Sequence, residues 1–392
     1  MCGFVHVCVI YLNVLALMLK ALGNDSFLLD VRALMLMDDT VLLASSRKNM
    51  INKFEILMDF CKRYGMKVNE LKTNFIVING LDSDRHEFTV DGVTVKHTFS
   101  YIYLGSPFTE DGNLNTVIKL HVKSRMSDLN KFMIFCRKNE TMPYKFKKQV
   151  LEAMILASLL YACESWLSVS VKEVEKVYIS AVKSLLGVRG TTRSDTIMIE
   201  SGMPLISERI TKRTAAFLKK KLHGDHADET PLQKIYKICE AKQTRGYKFL
   251  QQMLTPTVVL PSFSEKFANE QGTKAVTYRA INPGLKVHPV YLSNEYINER
   301  ARITFSRFRL SSHSLKFETG QWSRIDENER LCECGSGVQD ESHVLLFCPK
   351  TEVVRQKFNV STTVMNDIGT LMDSLDVDVL IPFVDCCMKI FK

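Results

Sequence analysis

Four residues near the C-terminus have the types and spacing of a zinc site. The stretch LCECGSGVQDESHVLLFCP gives Cys332-x-Cys334-x8-His343-x4-Cys348. Thiolate sulfur and imidazole nitrogen are the ligands zinc prefers, and four of them close a tetrahedral structural site. A glycine after the second cysteine lets the backbone turn around the metal. The Cys-x-Cys spacing is tighter than the usual two to four intervening residues. No open coordination position or general base accompanies it, so a structural role is expected over a catalytic one. The alternative is three buried cysteines beside an incidental histidine.

A second candidate is the carboxylate pair Asp38-Asp39 inside ALMLMDDTVLLA, residues 33–44. Paired acids between apolar runs are costly to bury without a cation. They fit a solvent turn joining strands over Leu34–Met37 and Val41–Leu43, although Asp-Gly and Asn-Gly are the favoured pairs there. They also fit a tight hairpin that pushes carboxylates toward a divalent ion such as magnesium. A third reading is chance.

The elements that must position these groups change character along the chain. In SSRKNMINKFEILMDFCKRYG, Met50, Phe54, Leu57 and Cys61 fall on one helical stripe that Gly65 is placed to end. NFIVI (74–78) and FSYIYLG (99–105) read as extended and bracket EFTVDGVTV, where Asp91-Gly92 is a strong hairpin signal. Residues 1 to about 110 therefore read as mixed helix and antiparallel strand. From 114 to 223 the period is helical. Pro143 can open a helix carrying Phe146, Val150, Met154 and Tyr161, and Ser170 with Glu173 makes a capping box before Val171, Val174, Val177, Ala181 and Leu185. GDHADETP reads as a linker, and 255–290 is irregular.

The chain carries a formal charge of +9, which favours polyanionic partners only where it is clustered. Val117–Glu152 holds nine basic residues against three acidic, and Ser207–His223 holds six against one. The candidate phosphate contacts there are Lys145, Lys147, Lys148, Lys219, Lys220 and Lys221. A phosphate-tracking surface and a solvated helix face fit the pattern equally well. Eleven scattered cysteines, an odd number, argue against a disulfide framework and for a reducing compartment. The first 23 residues have no Lys or Arg before their apolar run and include His6 and Asn13, which points to a buried helix rather than a signal sequence or a membrane anchor.

Taken in chain order, the Asp-Asp hairpin, GMKVNELKT, YLGSPFTEDG, basic helices containing LLYACESW, and RFRLSSHSLKFETGQW…LCECG…H…CP resemble the C-terminal half of a non-LTR (LINE-type) retrotransposon reverse transcriptase. The resemblance covers nearly the whole chain and is weakest between about 225 and 295. It implies an α+β fold: a partial palm of antiparallel hairpins with helices over 1–110, a basic helical thumb over 111–224, a linker and basic connector over 225–320, a zinc knuckle over 321–360, and a tail over 361–392. It would make Asp38 and Asp39 the magnesium-binding catalytic pair, Lys72 the lysine of the next palm motif, and Tyr103, Leu104 and Gly105 the primer grip. Cys332, Cys334, His343 and Cys348 would hold zinc, RNA and DNA would be the partners as template and primer, and the location would be cytoplasmic and nuclear.

Two departures shape what is expected. Leu36 and Met37 stand where the family usually has an aromatic residue and alanine. The chain also starts just upstream of the hairpin, as a 5′-truncated frame would. The fingers and the strand with the third catalytic aspartate would then have to come from a missing N-terminal portion or another retroelement protein. Asp25 and Asp30 lie nearby but outside any matching motif. The expectation is a remnant of an RNA-directed DNA polymerase without catalysis of its own. The alternatives are a nucleic-acid-binding retroelement-derived protein without chemistry, or a non-functional truncated reading frame.

Overall fold

Helix α1 (Arg47–Arg63) starts where the Ser46 side chain accepts the Asn49 N–H, and it stops before Gly65. Its two apolar flanks serve two small sheets. Phe54 and Met58 pack with Phe88, Val90 and Val95, while Phe60 and Cys61 pack with Leu15, Leu19, Ala33 and Met35. In this computed structural model the described residues are 15, 18–19, 33–36, 39–78, 80–166, 171–222, 230–244, 247–248, 251, 267–292 and 297–391. The fold is α+β and mostly helical, with small sheets built on antiparallel hairpins.

The chain divides into two units. The first takes Met1–His121, Ala162–Ser170 and Thr214–Leu254; the second takes Val122–Tyr161, Val171–Arg213 and Thr255–Lys392. In the first, β1 (Ala33–Leu36) pairs antiparallel with β2 (Asp39–Leu42), Leu36 opposite Asp39. Asp39 is therefore the first residue of a strand, and the connection falls one position earlier than an Asp-Asp turn requires. Asp38 lies outside the described residues, as do most of the first 23.

Strand β3 is only Asn74–Phe75 and runs parallel to β5, shorter than the extended run expected over 74–78. β4 (Phe88–Val90) and β5 (Val93–His97) form the expected hairpin around Asp91-Gly92. β6 (Ser100–Tyr103) and β7 (Ser106–Thr109) form another, joined by Leu104 and Gly105 at φ +49° and +79°. Positive φ at both central residues is the primed turn whose twist suits a two-residue hairpin, and there Leu104 is a conformationally costly occupant.

The second unit is helical. It takes in part of α2 (Leu114–Lys138), then α3 (Tyr144–Val150), which continues through a π-helical turn over Leu151–Leu156. Its core stripe is Tyr144, Lys147, Leu151 and Ile155, whereas Phe146 and Tyr161 are 55% and 44% exposed. The helix opens after Pro143 as expected, and its inward row includes a lysine whose partner, Glu299, is 152 residues away. Helix α4 (Lys172–Leu186) buries Val174, Val177, Ala181 and Leu185 as expected. Its cap is Val171 without a side-chain hydrogen bond, Ser170 is outside the described residues, and Glu173 instead holds Lys176 at 2.9 Å.

Helices α5 (Ser194–Ser201), α6 (Ile206–Leu222), α7 (Pro231–Ala241), α8 (Thr273–Ile281), α9 (Glu299–Arg309), α10 (Lys316–Trp322), α11 (Glu352–Lys357), α12 (Ile368–Ser374) and α13 (Val377–Ile390) follow. The segment expected as a tail carries core: Leu380, Phe383, Val384 and Cys387 of α13 are fully buried, and α13 packs on α9.

Alpha9 joins two buried ionic groups. Glu299 meets Lys147 at 3.0 Å and Arg302 at 2.8 Å, and Glu200 meets Arg309 at 2.6 Å while accepting the Tyr278 hydroxyl at 2.8 Å. Next to Phe305, burial and then the Arg309 charge push the His288 imidazole down to about 4. The unfolded chain takes up that proton below about 6.5 and the folded chain refuses it until about 4, so stability is lost as pH falls through this window, by about 3 kcal/mol. Urea melts in EDTA between pH 7 and pH 4 should show this slope. His288→Asn, which keeps an acceptor for the Val290 N–H, should flatten it; an unchanged slope contradicts the assignment.

Candidate functional site

The Cys332–Cys348 segment folds into two arms that converge. The first is a narrow turn: Leu331 bridges Val338, the Cys332 N–H donates to the Gly337 carbonyl at 2.8 Å, and Gly335 sits at φ +76°. That left-handed position is where the sequence supplies the glycine expected after the second cysteine. The second arm is a π-helical turn over His343–Phe347, started by the Asp340 carboxylate accepting the His343 N–H at 2.7 Å.

Between the arms, Cys332 Sγ lies 3.8 Å from Cys348 Sγ and Cys334 Sγ lies 3.2 Å from His343 Nε2. All four ligand atoms are within 4.8 Å of one another. Two sulfurs at about 2.3 Å from a tetrahedral zinc stand about 3.8 Å apart, and a sulfur and a nitrogen about 3.6 Å. The donor set and spacing therefore fit a tetrahedral metal such as zinc. Among the described residues this is the one group of three or more His, Cys, Asp or Glu side chains so arranged.

The thiols are not equivalent. The Ser336 hydroxyl, with its N–H and neighbouring groups, holds Cys334 down to about 6, whereas burial pushes Cys348 up to about 12. A dication binds thiolates, so loading this site releases protons.

Groups behind the ligands fix them. Arg355 of α11 donates to the Cys348 carbonyl at 2.9 Å and to Leu345 at 3.3 Å, and the Thr351 hydroxyl donates to Val344 at 2.9 Å. His313 Nε2 lies 2.9 Å from Glu341, which also accepts the Ser311 hydroxyl at 3.1 Å. Burial alone would raise the Glu341 carboxyl, but these contacts outweigh it and hold it below the ordinary range. Sequence reasoning missed this pair, since two buried residues 28 apart leave no local pattern.

The palm-like motifs lie in the first unit. Asp39 is exposed, and its charge reaches Tyr103, whose phenol is raised first by burial and then by that carboxylate. Lys72 is exposed, and its carbonyl accepts the Tyr101 hydroxyl at 3.4 Å. The backbone of Lys72 is thus tied to the β6–β7 hairpin, while Asp39 belongs to the β1–β2 hairpin. Asp38 lies outside the described residues, and among those described no group of three or more ligating side chains includes Asp39, so we assign it no magnesium.

The basic candidates separate. Lys145, Lys219, Lys220 and Lys221 are exposed and Lys148 is half-buried. Lys147 is 1% exposed and neutralised by Glu299, so it cannot contact a phosphate. Among the arginines just upstream of the knuckle, Arg302 and Arg309 are likewise buried and ion-paired, with Phe305 and Phe308 packed inward. Arg300 and Arg307 face solvent. Among the described residues no helix is long and apolar enough to cross a membrane. Comparison of the chain with protein-family models, curated proteins and solved structures gives no match.

Proposed function

We propose that this chain is a remnant of a non-LTR retrotransposon reverse transcriptase that binds RNA and DNA and does not polymerise by itself. The observation that carries the reading is the cluster of Cys332, Cys334, His343 and Cys348, whose ligand atoms gather within 4.8 Å where the resembled family has a zinc knuckle. The hairpins that resemble the catalytic palm motif and the primer grip both form, as β1–β2 and β6–β7. The metal-competent cluster and the exposed lysines support the binding half of it.

In this reading the lysines neutralise phosphates, zinc held by Cys332, Cys334, His343 and Cys348 supplies rigidity, and the chemistry of nucleotide transfer awaits carboxylates beyond Asp39. The second reading is a nucleic-acid-binding protein without chemistry, which needs only the metal-competent cluster and the exposed lysines. Primer extension distinguishes the two when the chain is supplied with a separate palm and fingers segment.

Alone, the chain should not extend oligo(dT) on poly(rA) with magnesium or manganese above an Asp39→Ala control. It should bind oligonucleotides with a steep salt dependence, and reversing Lys219, Lys220 and Lys221 to Glu should weaken binding and flatten the salt slope by about two to three units. Extension above the control overturns the first statement; no binding at about 50 mM salt, or binding indifferent to the reversal, overturns the second.

A further inference from the structure

Beyond the lysine clusters, the second unit presents a guanidinium stacked on an exposed indole, with a second guanidinium anchored two residues away along the same loop. Arg189, in the loop after α4, stacks its guanidinium 4.5 Å from the centre of the Trp322 ring, and its N–H donates to the Ser312 hydroxyl at 2.9 Å. Arg307 of α9 donates from Nε to the Gly187 carbonyl at 2.7 Å, two residues before Arg189. Trp322 is 58% exposed at the end of α10.

The two cations are close enough to repel. The Arg307 guanidinium is destabilised first by burial and then by Arg189, with Glu140 the opposing charge. Glu140 itself stands 3.6 Å from Arg300. Among the described residues no carboxylate comes within ion-pair distance of Arg189 or Arg307. Like charges held together by separate backbone and ring anchors, without an acid between them, create a local site for an anion. An aromatic face with adjoining phosphate ligands is how single strands are held without sequence preference, because unpaired bases expose a face that duplexes hide.

We propose that Trp322, Arg189 and Arg307 form a binding patch for single-stranded nucleic acid, the arginines taking a phosphate and the indole a base. This rests on the nucleic-acid reading above and narrows it to the strand state and to a place in the fold. The patch belongs to neither lysine cluster, so its contribution is separable from theirs.

The test uses the full chain with zinc, labelled rU and dT oligonucleotides of about 12 nucleotides, and a duplex of the same length. Trp166 is 4% exposed, so strand-dependent quenching of tryptophan emission reports Trp322. Single strands should quench that emission, and the tighter of the two arms names RNA or DNA as the occupant. Trp322→Leu should abolish the quenching and weaken single-strand binding about tenfold while changing duplex binding less than about twofold. Trp322→Phe should retain most of the affinity, and Arg307→Ala should reduce the salt slope by about 0.7. Equal single-strand affinity in wild type and Trp322→Leu, or equal losses for single strand and duplex, overturns the patch and leaves the broader reading standing. A wild-type chain that binds neither probe overturns both.

Discussion

Stripping zinc from the full chain with EDTA is expected to lower its melting temperature by roughly 8–16 °C, the shift for a ligand held at about a thousandfold its Kd in a unit of this size. The loss should be local. Hydrogen-exchange protection should fall most around Cys332–Gly337, where the fold is a narrow turn on few apolar contacts, and less at Val344, Leu345 and Leu346, which are at most 2% exposed. These three side chains anchor the second half of the segment in the core independently of the metal. Cys348→Ser should reproduce the loss and make the protein indifferent to EDTA. The gain from zinc should also shrink on acidification, because protons compete for thiols that must ionise, Cys348 above all with its value near 12. A melting temperature that EDTA does not move would contradict this.

Removing Glu299 should be the most damaging single substitution in the second unit. Its two oxygens serve Lys147 and Arg302, both about 1% exposed, so Glu299→Ala leaves two cations buried without an acid. Breaking a buried pair by deleting one partner costs about 3–5 kcal/mol, and two orphaned cations place this case at the upper end. Lys147→Met should cost much less, since Glu299 and Arg302 remain a neutral, doubly hydrogen-bonded pair and the new side chain fills the same apolar slot. Urea denaturation of the two variants reads the order directly. Equal destabilisation, or a Glu299→Ala loss below about 1 kcal/mol, would show that the triad is more hydrated than its geometry implies.

This triad also shows where the sequence stops being readable. Hairpins, helix stripes and the metal cluster are local, so Asp91-Gly92, the α1 stripe and Cys332, Cys334, His343 and Cys348 could be placed from spacing alone. A long-range buried ion pair has no local signature. Lys147 therefore reads as a phosphate ligand from its neighbours in sequence, although it answers a glutamate 152 residues away. The Asp39 position failed more narrowly, by a single residue of hairpin register, which two adjacent aspartates cannot disclose. Trp322 and Arg189 were legible as residue types, but only the fold brings them to 4.5 Å.

The metal centre is tested most directly by titrating cobalt into the metal-free full chain and recording its absorption. One equivalent should produce the intense d–d bands of a tetrahedral ion and thiolate-to-cobalt charge transfer, zinc should displace it stoichiometrically, and Cys334→Ser should remove the thiolate signature of the native site. A weak octahedral spectrum, or a Cys334→Ser protein that titrates as the wild type does, would contradict a centre built from Cys332, Cys334, His343 and Cys348.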